Sequence, residues 1–161
     1  MRELLTFAAK NRTLSKCLVF EMAFNEFQTL TPALLKIVDG LGVLGCRFSL
    51  DHCPSDLEKI KPLLGPYIAF IKIHSESLMQ ITSSQGSLSR FLRTKRQLQA
   101  NGISLIATQI ENERNLKKLF DLDLSFGQGY LFGRPDVQGA FPPFAHTKNY
   151  ARREGYKEVV G

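Results

Sequence analysis

The sequence has no tryptophan, only three cysteines, and no apolar run long enough to span a bilayer. Cys17, Cys46 and Cys53 show no CxxC spacing, so a reduced, cytoplasmic compartment is the simpler interpretation. The residues after Met1 form an amphipathic stretch rather than the hydrophobic segment of a secretory leader. We therefore expect no membrane segment in this chain, and any membrane tether would lie outside it.

The chain also lacks a strong excess of one charge. Its 21 basic and 15 acidic residues give a net charge of +6, which would suit an anionic partner. The basic residues are spread along the chain, and we expect no nucleic-acid interface. The densest basic run, from Arg90 to Arg96, includes Phe91 and Leu92 on its apolar side. That pattern favours a solvated helix face over a phosphate-binding or partner-binding patch.

What the sequence does contain is a regular alternation of short apolar runs and helical patterns. With 161 residues and 43% hydrophobic content, it is long enough for one globular domain. Thr31 and Pro32 have the properties of a helix N-cap and first helical residue, and Asn101-Gly102 forms a helix stop after a helix from Leu88 to Ala100. The predicted strands are CLVFEMA, CRFSLD, YIAFIKI, ISLIAT and DLSFGQG.

Strands that alternate with helices in this way predict βα units and a parallel sheet, either as a barrel or as an open doubly wound sheet. After Pro135 the periodicity is lost. We predict a domain over residues 1–135 and a loosely ordered tail over 136–161, with a small helix near 151–158.

Each predicted strand ends on or near a polar residue. The members of this set are Glu21, Asp51, Lys72, Thr108 and Gln128. Because parallel strands share one carboxyl-end face, these side chains should point toward a common site. Carboxylates there could bind Mg²⁺ or Mn²⁺, and the lysine could neutralise a phosphate. Equally, the acids could cap the following helices and Lys72 could pair with one of them.

The segments FEMAF, RFSLDH, FIKIH, LIATQIENE and FGQGYLFGRP, in this order, resemble the later half of an EAL domain, the cyclic di-GMP phosphodiesterase family. The amino-acid sequences of these segments are most similar to those of the divergent TipF-like group, whose members are flagellum-positioning proteins. The resemblance implies an α/β fold whose parallel βα units form about five strands of a TIM-like (β/α)8 barrel. It places Glu21, Asp51, Lys72 and Gln128 on the family's metal-binding glutamate, first aspartate, lysine and glutamine.

The sequence departs from the family pattern at three acidic positions. His52 replaces the second aspartate of D-D-F-G, His74 the aspartate of K-I-D, and Thr108 the first glutamate of A-E-G-V-E. Glu111 remains at the second acidic position of that last motif. These losses lead us to expect a regulatory domain that is not an enzyme and requires no cofactor, with Glu21 and Asp51 as remnants of an Mg²⁺ or Mn²⁺ site.

This regulatory domain is expected to act in cyclic di-GMP signalling, as a nucleotide receptor or a protein-interaction module with a link to motility. Its expected ligand contacts are Glu21, Asp51, Lys72, Gln128, Gly129 and Arg134. The alternative is residual cyclic di-GMP phosphodiesterase activity with altered metal ligation through His52 or His74. Cys53 and Cys46 could add softer donors, but their spacing matches no familiar zinc pattern.

The resemblance also implies that the first three barrel strands would lie before Met1. Five strands of a closed barrel leave two open edges. Either the chain is a fragment of a longer protein, or it starts late in a damaged or split gene, or a partner completes the sheet. We therefore also expect a protein partner or a homodimer.

Overall fold

A computed structural model describes residues 2–133 of the chain, with the side chain of Arg2 left aside. The predicted tail and Arg134 lie outside these residues. Five parallel strands form one sheet in which the strands follow the order of the chain, as the alternation of apolar runs and helices predicted. The strands are β1 (Val19–Ala23), β2 (Arg47–Asp51), β3 (Ile68–His74), β4 (Ser104–Thr108) and β5 (Phe126–Gly127).

Eight α-helices lie in the described part of the chain, together with a 3-10 turn at Lys61–Leu63. They are α1 (Arg2–Lys10), α2 (Arg12–Ser15), α3 (Phe24–Gln28), α4 (Pro32–Val43), α5 (Leu57–Ile60), α6 (Ser75–Ile81), α7 (Gln85–Ala100) and α8 (Glu113–Phe120). Within residues 2–133, no helix is both long enough and apolar enough to cross a membrane.

Local sequence signals explain the ends of the long helices. The Thr31 hydroxyl accepts the backbone N–H of Leu34, so α4 begins with the predicted N-cap and with Pro32 as its first residue. Helix α7 ends at Ala100 as predicted, and Gly102 follows with φ +76. It begins at Gln85, three residues before the predicted start at Leu88.

The structure differs from the expected elements in four places. The pattern LLTFAAKNRTLSK predicts one helix before β1, but the structure has two, since α1 ends at Lys10 and α2 starts at Arg12. Helices α3 and α6 follow β1 and β3 directly and were not predicted, since each is too short to show a full apolar period. Strand β5 has two residues, fewer than the predicted run.

The two faces of the sheet differ because side chains alternate along each strand. Leu50, Ile71, Ile73 and Leu105 are at most 3% exposed and belong to the hydrophobic core. The residues between them, such as Ser49, Phe70 and Lys72, lie on the other face. The polar strand-end residues are therefore carried by the face and edge that the core does not cover.

Candidate functional site

The site lies at the carboxyl ends of the parallel strands, which we call the rim: the ends of β1 to β5 and the residues directly after them. Register places Ala23 beside Asp51 and His74 beside Thr108. Leu50 is beside Ile71, so Asp51 and Lys72 follow at the same level. The structure thus gathers the predicted strand-end residues along one edge of the sheet.

Lys72 and Glu21 are the most closely coupled pair at the rim. Lys72 Nζ forms an ion pair with Glu21 Oε2, which reaches from β3 to β1 across β2. The lysine side chain is 14% exposed and the glutamate side chain 46%. Ser49 lies beside Glu21 on β2, and its buried hydroxyl has no hydrogen-bond partner among the described residues. The positive charge is therefore held mostly inside the rim, with one carboxylate on it.

Asp51 is directed toward its own neighbour, His52. One oxygen, Oδ1, accepts the backbone N–H of His52 at 2.8 Å, and Oδ2 lies 3.3 Å from His52 Nδ1. His52 has φ +55, in the left-handed region that few non-glycine residues adopt. The carboxylate thus holds both the backbone and the ring of a strained residue at the end of β2.

The two histidines that replace the family's aspartates lie next to each other. The ring centroids of His52 and His74 are 5.2 Å apart, with 44° between the ring planes. Beside His74, the Thr108 hydroxyl is buried and has no hydrogen-bond partner within the described part of the chain. Sequence reasoning named all three residues and considered both histidines as metal donors, but it did not predict that their rings lie side by side.

Sequence reasoning also missed Gln109, which directly follows Thr108. Gln109 has φ +58, and its carbonyl oxygen accepts a hydrogen bond from the buried hydroxyl of Ser75 at 2.9 Å. A signal was available, since the family motif A-E-G-V-E has glycine at this position and glycine tolerates left-handed backbone. Gln109 therefore adds an exposed amide side chain to the rim between β3 and β4.

The cysteines that were considered as soft metal donors do not join the site. Cys53 is 4% exposed, and its thiol donates to the Leu50 carbonyl oxygen at 3.5 Å. Burial, and secondly the charge of Asp51, raise the pKa of Cys53 to about 12, so it remains a thiol at neutral pH. Cys46 precedes β2 and is fully buried at the opposite end of that strand from the rim.

Gln128 and its flanking glycines lie against Ile110. The backbone N–H of Gln128 donates to Ala107 O at 2.8 Å, and its carbonyl oxygen accepts from Ile110 N at 3.1 Å. A Cβ on Gly129 would lie 2.3 Å from the backbone N and O of Ile110. The close approach that requires glycine at position 129 is therefore to the Ile110 backbone. The Gln128 side chain remains exposed at the rim.

The rim carries two carboxylates but no complete metal cage. Among residues 2–133 there is no group of three His, Cys, Asp or Glu side chains placed to hold a metal ion. Glu21 is paired with Lys72, and Asp51 is directed to His52. The oxygen-rich site implied by the family does not fit the described residues as they stand.

The model of the EAL domain family matches residues 1–135. The chain therefore belongs to the EAL domain family, and the expected later part of a TIM-like barrel is confirmed by the solved structures that resemble it. The resemblance to the TipF-like group is a finer statement that this match does not test.

Two curated relatives are cyclic di-GMP phosphodiesterases. PdeA of Borreliella burgdorferi is 27% identical over 101 residues, which cover 63% of this chain and 15% of PdeA. RocR of Pseudomonas aeruginosa is 24% identical over 117 residues, which cover 73% of this chain and 30% of RocR. The chain thus spans less than a third of either relative.

Solved structures show the same fold. BlrP1 of Klebsiella pneumoniae, in a complex with manganese and cyclic di-GMP, has a TM-score of 0.60 and 20% identity over 75% of this chain and 31% of that chain. The FimX EAL domain of Pseudomonas aeruginosa, bound to cyclic di-GMP, has a TM-score of 0.63 and 19% identity over 84% of this chain and 57% of that chain.

These relatives correct one expectation from the sequence. We expected from the replaced acids at His52, His74 and Thr108 that the chain is not an enzyme. That expectation is wrong, because the curated relatives of this EAL domain are phosphodiesterases. The groups at these positions are two imidazoles and one hydroxyl, and a count of lost carboxylates was not enough to decide whether the domain is an enzyme.

Proposed function

We propose that this chain binds cyclic di-GMP at the rim and that the EAL domain to which it contributes hydrolyses one phosphodiester bond, giving linear pGpG. The observation that carries the proposal is the position of Lys72, whose side chain is 14% exposed and which lies at the level of Asp51 in the middle of the strand ends. The names of the two curated relatives support the substrate and the reaction.

Lys72 is the group best placed to receive a phosphate. A partly desolvated ammonium interacts more strongly with an anion than an exposed one, because less water screens it. Its present partner, Glu21, has a side chain that is 46% exposed and can turn toward solvent when a phosphate approaches. Lys72 would then neutralise charge on the phosphate, and Glu21 would be released.

Polar groups on the neighbouring strand ends would orient the nucleotide. The exposed amides of Gln128 and Gln109 can each donate and accept hydrogen bonds, which suits base edges and phosphate oxygens alike. Gly129 holds the Gln128 backbone against Ile110 and so fixes where that amide emerges. Arg134, one residue beyond the described part, is proposed as a second phosphate contact on the strength of its sequence position.

The biological process is proposed from sequence alone. The similarity of RFSLD and FGQGYLFG to TipF-like sequences supports a role in flagellar assembly or motility. A protein partner or a second copy of the chain at the open edges of the sheet stays a prediction. If deletion of the gene that encodes this chain leaves swimming and flagellar number unchanged, the motility proposal is contradicted. The proposal of nucleotide binding is not affected by that result.

The binding proposal is tested by titration calorimetry of cyclic di-GMP into the full chain. We expect saturable binding at micromolar ligand, and no heat at tens of micromolar would contradict it. Hydrolysis is tested separately: cyclic di-GMP is incubated with the full chain and Mg²⁺, Mn²⁺ or Zn²⁺, and the products are separated by chromatography. The expected product is pGpG, and its absence with every ion would contradict the hydrolysis proposal.

A further inference from the structure

We infer that the end of the sheet opposite the rim carries a surface that binds membranes rich in anionic phospholipid. We call this surface the base patch, and it consists of Lys10, Arg12, Leu14, Lys16 and Val43. All five residues are exposed, and they lie where α1, α2 and α4 end and the chain enters β1 and β2. The base patch is therefore separate from the strand ends that form the rim.

The ends of α2 and α4 form one continuous surface although they are distant in the sequence. Together they enclose a cavity of about 190 Å³, which is lined by Arg12, Thr13, Lys16, Val43, Leu44 and Gly45. Glycine permits this contact, because a Cβ on Gly45 would lie 2.8 Å from Lys16 Cγ and the backbone there has φ +104. Two cations and an aliphatic side chain are thus brought to the same opening.

The charged side chains of this region are all basic. Neither residues 4–20 nor residues 40–50 contain an aspartate or a glutamate. Within the described part of the chain, no carboxylate forms an ion pair with Lys10, Arg12 or Lys16. Their positive charges therefore have no direct partner, and the negative surface potential of a membrane with acidic lipids attracts such cations.

Val43 and Leu14 supply the apolar part of the base patch. Val43 is 75% exposed, the highest fraction among the large hydrophobic residues that the structure describes, and Leu14 is 47% exposed. An aliphatic side chain among cations is stabilised when it enters the boundary between lipid headgroups and acyl chains. Lysine and arginine can at the same time keep their charged ends at the lipid phosphates. A membrane surface satisfies both parts of the patch.

The composition of the base patch favours lipid over protein or nucleic acid. Protein interfaces are enriched in aromatic residues and depleted in lysine. The base patch has the opposite composition, with Lys10 and Lys16 among its five residues and no aromatic ring. It also offers no aromatic side chain on which a nucleic-acid base could stack. The contact with lipid is peripheral, and it requires no helix that crosses the membrane.

The test is co-sedimentation of the full chain with lipid vesicles. One set of vesicles contains phosphatidylcholine alone, and the other contains about 30% phosphatidylglycerol, which is anionic. We expect binding to the anionic vesicles that is at least about 10-fold tighter than to the neutral ones. Raising the salt concentration from about 0.1 M to about 0.5 M should release most of the bound chain, because salt screens exposed charges.

Two variants separate the charged from the apolar part of the base patch. Lys16→Glu removes a cation and adds a repelling carboxylate, so it should weaken binding to anionic vesicles at least about 10-fold. Val43→Ser keeps the charge and removes the aliphatic group, so it should weaken binding about five-fold. Lys36→Glu is the matched control. It makes the same charge change at an exposed position in the first half of α4, and affinity should stay within about two-fold.

Several results would overturn the inference. The chain might sediment with neither kind of vesicle or with both equally, or Lys16→Glu might weaken binding no more than Lys36→Glu does. Binding to duplex DNA or to an acidic protein, without binding to vesicles, would assign the base patch to another partner and would also overturn it. If circular dichroism shows that Lys16→Glu does not fold, Arg12→Glu, at an exposed position in the same patch, replaces it in the comparison.

Discussion

Lys72 on β3 and Glu21 on β1 form an ion pair that crosses the intervening strand β2. The pair lies on the face of the sheet opposite the buried aliphatic residues and near the rim, where Asp51 lies at the level of the lysine. A partly exposed ion pair contributes little to stability. Its importance lies in the competition that it sets up between the Glu21 carboxylate and any phosphate for one ammonium group.

Replacing Glu21 should strengthen metal-free binding of cyclic di-GMP. Glu21→Gln removes the carboxylate that competes with the phosphate for Lys72. For a partly exposed pair we expect a gain of roughly 1 kcal/mol in binding free energy, or about five-fold in affinity. The dissociation constant of cyclic di-GMP is measured by calorimetry in the presence of a chelator. Glu26→Gln, an exposed position on α3, is the matched control and should change nothing. Weaker binding of Glu21→Gln would show that the carboxylate contacts the nucleotide directly.

Gly129 should not tolerate a side chain. In Gly129→Ala the new Cβ would meet the Ile110 backbone at 2.3 Å, so the hydrogen bonds that Ile110 makes to Gln128 and Leu131 would be displaced. We expect a loss of roughly 1 to 3 kcal/mol in the free energy of unfolding and weaker nucleotide binding. Gly65→Ala, where a Cβ meets nothing within 4 Å, should be nearly neutral in urea unfolding. Equal stability of the two variants would contradict the placement of Ile110.

Lys95 should be a stabilising residue although it is charged and only 1% exposed. Its ammonium donates to Leu122 O at 3.1 Å, to Asp123 O and to Asp123 Oδ2 at 2.8 Å, which ties α7 to the loop before β5. Lys95→Met leaves these acceptors unpaired and should cost about 2 kcal/mol of unfolding free energy in urea.

Lys59 provides the comparison for Lys95. It pairs with Asp56 on the surface, with its side chain 82% exposed, so Lys59→Met should cost less than about 0.5 kcal/mol. If Lys95→Met unfolds at the same urea concentration as Lys59→Met, the buried contacts of Lys95 do not stabilise the chain.

The sequence predicts the architecture well because strands and helices alternate with clear periods. The five parallel strands, the Thr31 cap and the end of α7 at Ala100 all follow from local patterns of apolar, capping and glycine residues. The short helices α3 and α6 were missed because five to seven residues do not display a helical period. The length of β5 depends on its pairing with β4, which no local pattern encodes.

The composition of the rim was predictable, but its pairings were not. Polar residues after apolar runs placed Glu21, Asp51, Lys72 and Gln128 on one edge of the sheet. That Lys72 reaches over β2 to Glu21, or that Asp51 binds its own neighbour, depends on side-chain rotamers and on the left-handed backbone of His52. The side-by-side, tilted placement of the His52 and His74 rings depends on the same backbone turn.

The most direct test of nucleotide binding at the rim is calorimetry of cyclic di-GMP with Lys72→Met, which removes the ammonium and keeps an apolar chain of similar length. Loss of one charge-assisted contact, worth roughly 1.5 to 3 kcal/mol, should weaken binding about 10-fold to 100-fold. Lys61→Met, at an exposed position on the 3-10 turn, should bind like the unsubstituted chain. If Lys72→Met binds cyclic di-GMP as tightly as Lys61→Met, the nucleotide does not bind at this rim.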